Sequence, residues 1–70
     1  MTKRLKLKQL RVSLDLSQEQ MADRLNVSRS LYAAVENGKR YGTLKFWHNL
    51  QMTLAVPKQE VFEIMTEIEF

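Results

Sequence analysis

The 70-residue sequence contains no cysteine, one proline, two glycines and no long apolar run. The lack of cysteine excludes disulfide bonds, thiolate metal sites and cysteine nucleophiles, and it agrees with a reducing compartment such as the cytoplasm. The scarcity of glycine and proline favours helices. Because no segment approaches the ~20 apolar residues of a membrane-spanning helix, we expect a cytoplasmic protein with no membrane partner.

The length of the chain predicts a single domain over residues 1–70. Its net charge is only +3, but residues 1–40 carry nine basic and four acidic side chains, whereas residues 41–70 carry two basic and four acidic ones. The basic part alone is a weak indication of a polyanionic partner, because basic surfaces also serve solubility. A domain of this size is marginally stable by itself, so we expect it to form an oligomer.

The first half of the sequence carries the patterns of two helices. Leu7, Leu10 and Leu14 lie on one face of the first predicted helix. Ser17, followed three residues later by Gln20, forms a capping-box pattern that begins the second helix. The predicted inner face of the second helix consists of Met21, Ala22 and Leu25.

A third helix is predicted only two or three residues after the second. Ser28 caps its start, and it ends at Asn37 and Gly38. On a helical wheel, Tyr32, Val35 and Ser28 point to the core, while the opposite face is small or neutral. This outer face consists of Ser30, Ala33, Ala34 and Asn37, with Arg29 on its flank. Two capped helices joined by a tight turn fit a helix-turn-helix, whose second helix enters the major groove of DNA.

Two further helices are predicted in the second half. Thr43 caps the fourth helix, and Pro57 suits the first turn of the fifth. The apolar stripe of the fourth helix consists of Leu44, Trp47, Leu50 and Leu54. Residues 66–70 alternate between polar and apolar types, which fits either the end of the helix or a short strand. The predicted fold is therefore all-α with five helices, and a short C-terminal strand stays open.

The run SQEQMADRLNVSRS at residues 17–30 and the run VENGKR at residues 35–40 resemble the Cro and phage-repressor type of helix-turn-helix proteins, also called the xenobiotic-response-element family. The resemblance covers roughly residues 5–63 and includes the small Ala22 at the helix crossing. It implies a compact five-helix, lambda-repressor-like domain with the motif at residues 17–37. The implied function is sequence-specific binding of double-stranded DNA by a transcriptional regulator.

The resemblance also implies a role for each group of residues around the motif. The implied contacts to DNA bases are Arg29, Ser30, Ala33 and Ala34. The implied contacts to the DNA backbone are Gln18, Asn37, Lys39 and Arg40. Arg11 and Glu36 fall where family members often place a buried ion pair between the first and third helices. We expect this pair to be structural and not catalytic.

We interpret the sequence as that of a bacterial or phage repressor that binds a pseudo-palindromic operator as a homodimer. One half-site of a few base pairs is too short for selectivity in a genome, whereas a dimer places two recognition helices ~34 Å apart. We expect the dimer surface in the region from the fourth to the fifth helix and in the apolar tail at residues 61–70, at Ile64, Met65, Ile68 and Phe70. The alternative is an antitoxin or anti-repressor that uses the same scaffold to bind a protein partner.

Several other residues allow more than one interpretation or give no indication of a catalytic or metal site. The basic N-terminal residues Lys3, Arg4, Lys6 and Lys8 fit an arm on DNA, a membrane-surface helix or a solubilising surface. His48 is the only histidine, so we predict no metal site and no cofactor. No acid–base pair or phosphate-binding loop indicates an enzyme. The aromatic residues Phe46, Trp47, Phe62 and Phe70 suit the core first and a subunit interface second.

Overall fold

The structure is a computed structural model that describes residues 3–67. It contains five helices, which are α1 (Leu5–Ser13), α2 (Gln18–Leu25), α3 (Arg29–Glu36), α4 (Leu44–Leu54) and α5 (Lys58–Met65). The predicted all-α class is confirmed. The chain from residue 66 to residue 67 forms no strand, because α5 is followed by a turn at Thr66. Ile68 and Phe70 lie outside the described residues.

The helix-turn-helix is formed by the two predicted caps and a left-handed residue between them. Ser17 Oγ accepts the Gln20 backbone N–H at 3.1 Å, and Gln20 Oε1 accepts the Ser17 N–H at 2.9 Å, so the capping box is confirmed. Ser28 Oγ accepts the Leu31 N–H at 3.1 Å and starts α3. Between the two helices, Asn26 adopts a φ of 58°, a conformation that asparagine tolerates well. Local chemistry thus fixes the angle at which α3 leaves α2.

The core lies where α2, α3 and α4 meet, and α1 and α5 close it from the side. Tyr32 and Phe46 stack with their ring centres 6.2 Å apart, and Trp47 meets Phe46 edge to face at 4.8 Å. Each arrangement is a favourable geometry for aromatic rings. The remaining buried apolar residues are Leu7, Met21, Ala22, Leu25, Val35, Leu50, Val56, Val61 and Ile64. This core leaves the outer face of α3 turned to solvent.

Several residues that the apolar patterns assigned to the core are exposed instead. Leu44 is 88% exposed because it is the first residue of α4, and Phe46 is buried in its place. Leu14 is 43% exposed because α1 has already ended at Ser13. Pro57 serves as the N-cap of α5, one residue before the first turn predicted for it.

The C-terminal helix also differs from the predicted dimer surface. Ile64 is only 1% exposed and packs in the core of the single chain, so it is not accessible to a second subunit. Met65 is partly buried against the core. Phe62 lies outside the core and is 60% exposed, although aromatic residues were expected in the core first. The accessible apolar surface of α5 within residues 58–65 is therefore centred on Phe62.

Candidate nucleic-acid interface

The outer face of α3 is accessible along its whole length. Arg29 and Ser30 are exposed at its start, and Ala33, Ala34 and Asn37 are partly exposed beyond them. The opposite face of the helix is buried through Tyr32 and Val35. The only acidic residue of α3, Glu36, is buried as well. The accessible face consequently carries one cation, small or neutral side chains and no carboxylate.

Glu36 is held at the end of α3 by three side chains from other positions. Arg11 Nε lies 2.9 Å from Glu36 Oε2, and Arg11 Nη2 donates to Oε1 at 3.2 Å, which is the predicted ion pair. The Tyr32 hydroxyl donates to Oε2 at 2.6 Å. Gln18 Nε2 donates to Oε1 at 3.1 Å and joins the start of α2 to the end of α3.

The charges of this cluster stabilise one another. Burial alone would raise the pKa of Glu36, but hydrogen bonds from Arg11, Tyr32 and Gln18 outweigh it, so the pKa lies below its usual value. The hydrogen bond to Glu36 raises the pKa of Arg11. Burial, and then the hydrogen bond to Glu36, raise the pKa of the Tyr32 hydroxyl. At neutral pH the Arg11–Glu36 pair is therefore ionised and mutually neutralised, and together with Gln18 it joins α1, α2 and α3.

Arg4 is a buried cation at this end of α3, and the sequence patterns did not predict its burial. Its side chain is 2% exposed, and Nη1 donates to the backbone carbonyls of Val35 and Arg40, both at 2.8 Å. Its backbone N–H donates to the Glu36 carbonyl at 2.9 Å. The one available signal was its position three residues before Leu7, on the same helical face.

The loop that follows α3 is fixed around the Arg4 side chain. The Arg4 guanidinium carbon lies 5.4 Å from the centre of the Trp47 ring and 5.8 Å from that of Tyr41. Trp47 Nε1 donates to the Tyr41 carbonyl at 2.8 Å. Gly42 adopts a φ of +80°, and an added Cβ would lie 3.1 Å from Trp47 Nε1, so a larger residue is strained there. The buried side chains of Arg4 and Trp47 thus fix the backbone of this loop.

The predicted DNA-contacting residues lie around α3 in two groups. The predicted base contacts Arg29, Ser30, Ala33 and Ala34 follow its outer face. Of the predicted backbone contacts, Gln18 and Asn37 line one cleft beside the end of α3. Lys39 and Arg40 follow in the loop and are exposed. One end of α3 thus carries the hydrogen-bond donors and cations that a phosphate backbone requires.

Comparison with known proteins agrees with this geometry. The sequence model of the helix-turn-helix family matches residues 7–46, which include all of α2 and α3. The chain belongs to the helix-turn-helix family. Its type is that of Cro and the phage repressors, as the sequence resemblance implied. This helix-turn-helix protein is therefore a DNA-binding regulator that acts on double-stranded DNA.

A curated relative covers most of the chain. The helix-turn-helix protein is 38% identical over 58 residues to control protein C.MunI from Mycoplasma sp., and the match spans 81% of this chain and 78% of that protein. No solved structure gave a significant match. None of the helices within residues 3–67 combines the length and the hydropathy of a membrane-spanning segment.

Proposed function

We propose that this helix-turn-helix protein is a repressor that binds a pseudo-palindromic operator as a homodimer. In each half-site, α3 enters the major groove, and occupancy of the operator blocks access of the polymerase. The observation that carries this proposal is the outer face of α3, which is accessible, free of carboxylates and bordered by the exposed cations Lys39 and Arg40. A helix whose outer face only met solvent would more commonly carry glutamate, lysine and glutamine there.

The proposed base contacts follow from the residue types along α3. Arg29 stands at the N-terminal end of the helix, the part that reaches base edges in helix-turn-helix proteins. Its guanidinium group can donate two hydrogen bonds to guanine O6 and N7. Ser30 offers a hydroxyl group, while Ala33 and Ala34 permit close approach and contact with thymine methyl groups. Because few of these contacts are polar, the sequence-dependent shape of DNA contributes to selectivity.

The proposed backbone contacts surround the end of α3. One N–H of the Gln18 amide is used by Glu36, and the second is available for a phosphate oxygen. Asn37 ends α3 beside it, and Lys39 and Arg40 add two exposed positive charges. These contacts set the orientation of α3 on the duplex but do not read its sequence.

Dimerisation is proposed because one half-site gives too little selectivity. The described part of the chain measures 29 × 25 × 22 Å, so two subunits side by side can place their α3 helices one DNA turn, ~34 Å, apart. The surface we propose is the outer side of α5 with Phe62 and Met65. A relative named as a control protein, matched over most of both chains, supports a regulatory role.

Selection of bound sequences from a random DNA pool tests the operator, and sedimentation with and without the selected duplex tests the dimer. We expect the selected sequences to contain an inverted repeat and the protein to sediment as a dimer on the selected duplex. A chain that stays monomeric at micromolar concentration on its selected DNA would refute the dimer. Negligible affinity for any duplex, even in low salt, would refute the regulator.

A salt titration tests the backbone contacts. We expect the logarithm of the association constant to fall with the logarithm of salt concentration, and the double variant Lys39→Ala/Arg40→Ala to flatten the slope by about 1.8, or about 0.9 per phosphate contact. Lys6→Ala removes an exposed lysine that lies beside Glu63 of α5, and it serves as the control, with an unchanged slope.

A further inference from the structure

Helix α1 separates two surfaces of opposite character. On one side, a cleft of about 200 Å³ opens between α1 and the end of α3, and we call it the basic cleft. Its lining includes Lys3, Lys8, Arg11, Gln18, Glu36 and Asn37, together with the buried Arg4. On the other side, a larger groove toward α5 is lined by Lys6 together with Glu60 and Glu63.

The charges inside the basic cleft are not all compensated. Arg11 and Glu36 neutralise each other, and the Arg4 guanidinium is buried against backbone carbonyls. Lys3 and Lys8 are exposed at the rim. Among residues 3–67 the ion pairs are Lys6–Glu63 and Arg11–Glu36, so neither rim lysine takes part in one. Within the described residues, the basic cleft therefore carries two ammonium groups that have no ion-pair partner.

Neutral hydrogen-bond donors lie in the same cleft. The Gln18 amide is oriented by Glu36, which accepts one of its N–H groups at 3.1 Å and leaves the other available. Asn37 contributes a second amide at the end of α3. Ammonium groups at the rim and amide donors inside are a combination that suits a phosphate group with its several acceptor oxygens. Both amides belong to the proposed backbone contacts, so the anion is one on the DNA that α3 binds.

We infer that Lys3 and Lys8 bind a phosphate of the DNA backbone in the basic cleft and extend the DNA contact from α3 to α1. This inference rests on the proposed function, because it places the duplex against the outer face of α3. It divides the four basic N-terminal residues by role. Arg4 is structural, Lys6 faces the acidic groove, and Lys3 and Lys8 bind DNA.

Lys6 supplies a matched control on the same helix. It lies two residues from Lys8, and both side chains are exposed. Its Nζ is 3.9 Å from Glu63 Oε1, and its backbone N–H donates to Glu67 Oε1 at 2.8 Å. Lys6→Gln and Lys8→Gln therefore remove the same charge from the same helix on opposite sides, so any effect of net charge alone is the same in both.

The test measures binding of the full chain to random duplex DNA by fluorescence anisotropy between ~50 and ~200 mM salt. We expect Lys8→Gln to reduce by about 0.9 the slope of the logarithm of the association constant against the logarithm of salt concentration. The ratio of the wild-type association constant to that of the variant should therefore fall about 3- to 4-fold over this range. The loss should be similar on every DNA sequence, because a phosphate contact does not read bases. Lys6→Gln should leave the slope unchanged. Thermal unfolding followed by circular dichroism verifies that both variants fold like the wild type.

The outcomes separate this inference from the proposed function. Wild-type binding with equal slopes for Lys6→Gln, Lys8→Gln and the wild type would overturn the basic cleft as a phosphate site and leave the regulator standing. An equal flattening in both variants would also overturn it, because the effect would then be one of net charge. No wild-type binding at any salt concentration would overturn the regulator itself, and the basic cleft with it.

Discussion

The two ends of α3 are held in different ways. At the start, Ser28 caps the helix through one hydrogen bond, and the next two side chains, Arg29 and Ser30, are exposed. At the end, Glu36 is bound by side chains of α1, α2 and α3, and Arg4 binds the carbonyls on either side of the helix end. The comparison indicates that the side chains at the start of α3 take no part in holding the helix, whereas those at its end fix its position.

The largest effect on stability is expected from Arg4→Met. Methionine keeps much of the apolar stem but loses two short hydrogen bonds from a charged group, and it leaves the Arg40 carbonyl without its partner. We expect the free energy of unfolding to fall by about 2–4 kcal/mol, measured by urea denaturation. Lys3→Met, which changes an exposed neighbour, should be close to the wild type. A fully stable Arg4→Met variant would show that the end of α3 is held without Arg4.

An intermediate and pH-dependent effect is expected from Glu36→Gln. The pKa of Glu36 is lowered in the folded protein, so its contribution is complete above the usual value of about 4.5 and is lost as the pH falls through the lower folded pKa. At neutral pH the variant should be less stable by about 1–3 kcal/mol, because Arg11 loses its charged partner. As the pH falls below about 4.5, the difference should shrink.

Denaturation across this pH range checks the Glu36 prediction, and Glu60→Gln is its control. Glu60 is exposed in the first turn of α5, where a carboxylate gains only about 0.3–1 kcal/mol from the helix dipole, so its replacement should have a smaller effect than that of Glu36. A stability difference between the wild type and Glu36→Gln that does not change down to strongly acidic pH would mean that the charge of Glu36 does not stabilise the end of α3.

The smallest effect on stability is expected from Arg29→Ala at the opposite end. Because the side chain is exposed, the free energy of unfolding should change by no more than about 0.5 kcal/mol. Binding to the preferred duplex should weaken by about 1–3 kcal/mol, and preference should relax at one base position. Competition between the selected duplex and its single-base variants measures this. An equal loss on all duplexes would make Arg29 a backbone contact.

The sequence was sufficient for the parts of the fold that depend on neighbouring residues. The capping box at Ser17, the cap at Ser28 and the left-handed Asn26 are local chemistry, and all three are formed. The helical wheel also separated Tyr32 and Val35 from the outer face of α3, but it was wrong for Ser28, which is the exposed N-cap. These features define the helix-turn-helix, which explains why the motif was predictable before any tertiary contact was known.

Other features depend on contacts that no local pattern contains. Arg4 binds carbonyls 31 and 36 positions away. Every residue has a backbone carbonyl, so the sequence does not indicate which of them a distant arginine will bind. Phe46 and Leu44 both follow Thr43 closely, and only the direction in which α4 leaves the loop decides which of them is buried. In α5, the aromatic type of Phe62 suggested the core, but the packing of α5 on α1 and α4 leaves this side chain outside.

The Arg4 contacts have a consequence for engineering the protein. Because Arg4 donates hydrogen bonds to main-chain oxygens, these bonds do not depend on which side chains are present at positions 39 and 40. The outer residues of α3 and the two loop cations can therefore be substituted without changing the contacts that hold the end of α3 in position. A library that randomises these positions while retaining Arg4, Trp47 and Gly42 should yield folded proteins with new DNA preferences. A library that also varies Arg4 should yield far fewer.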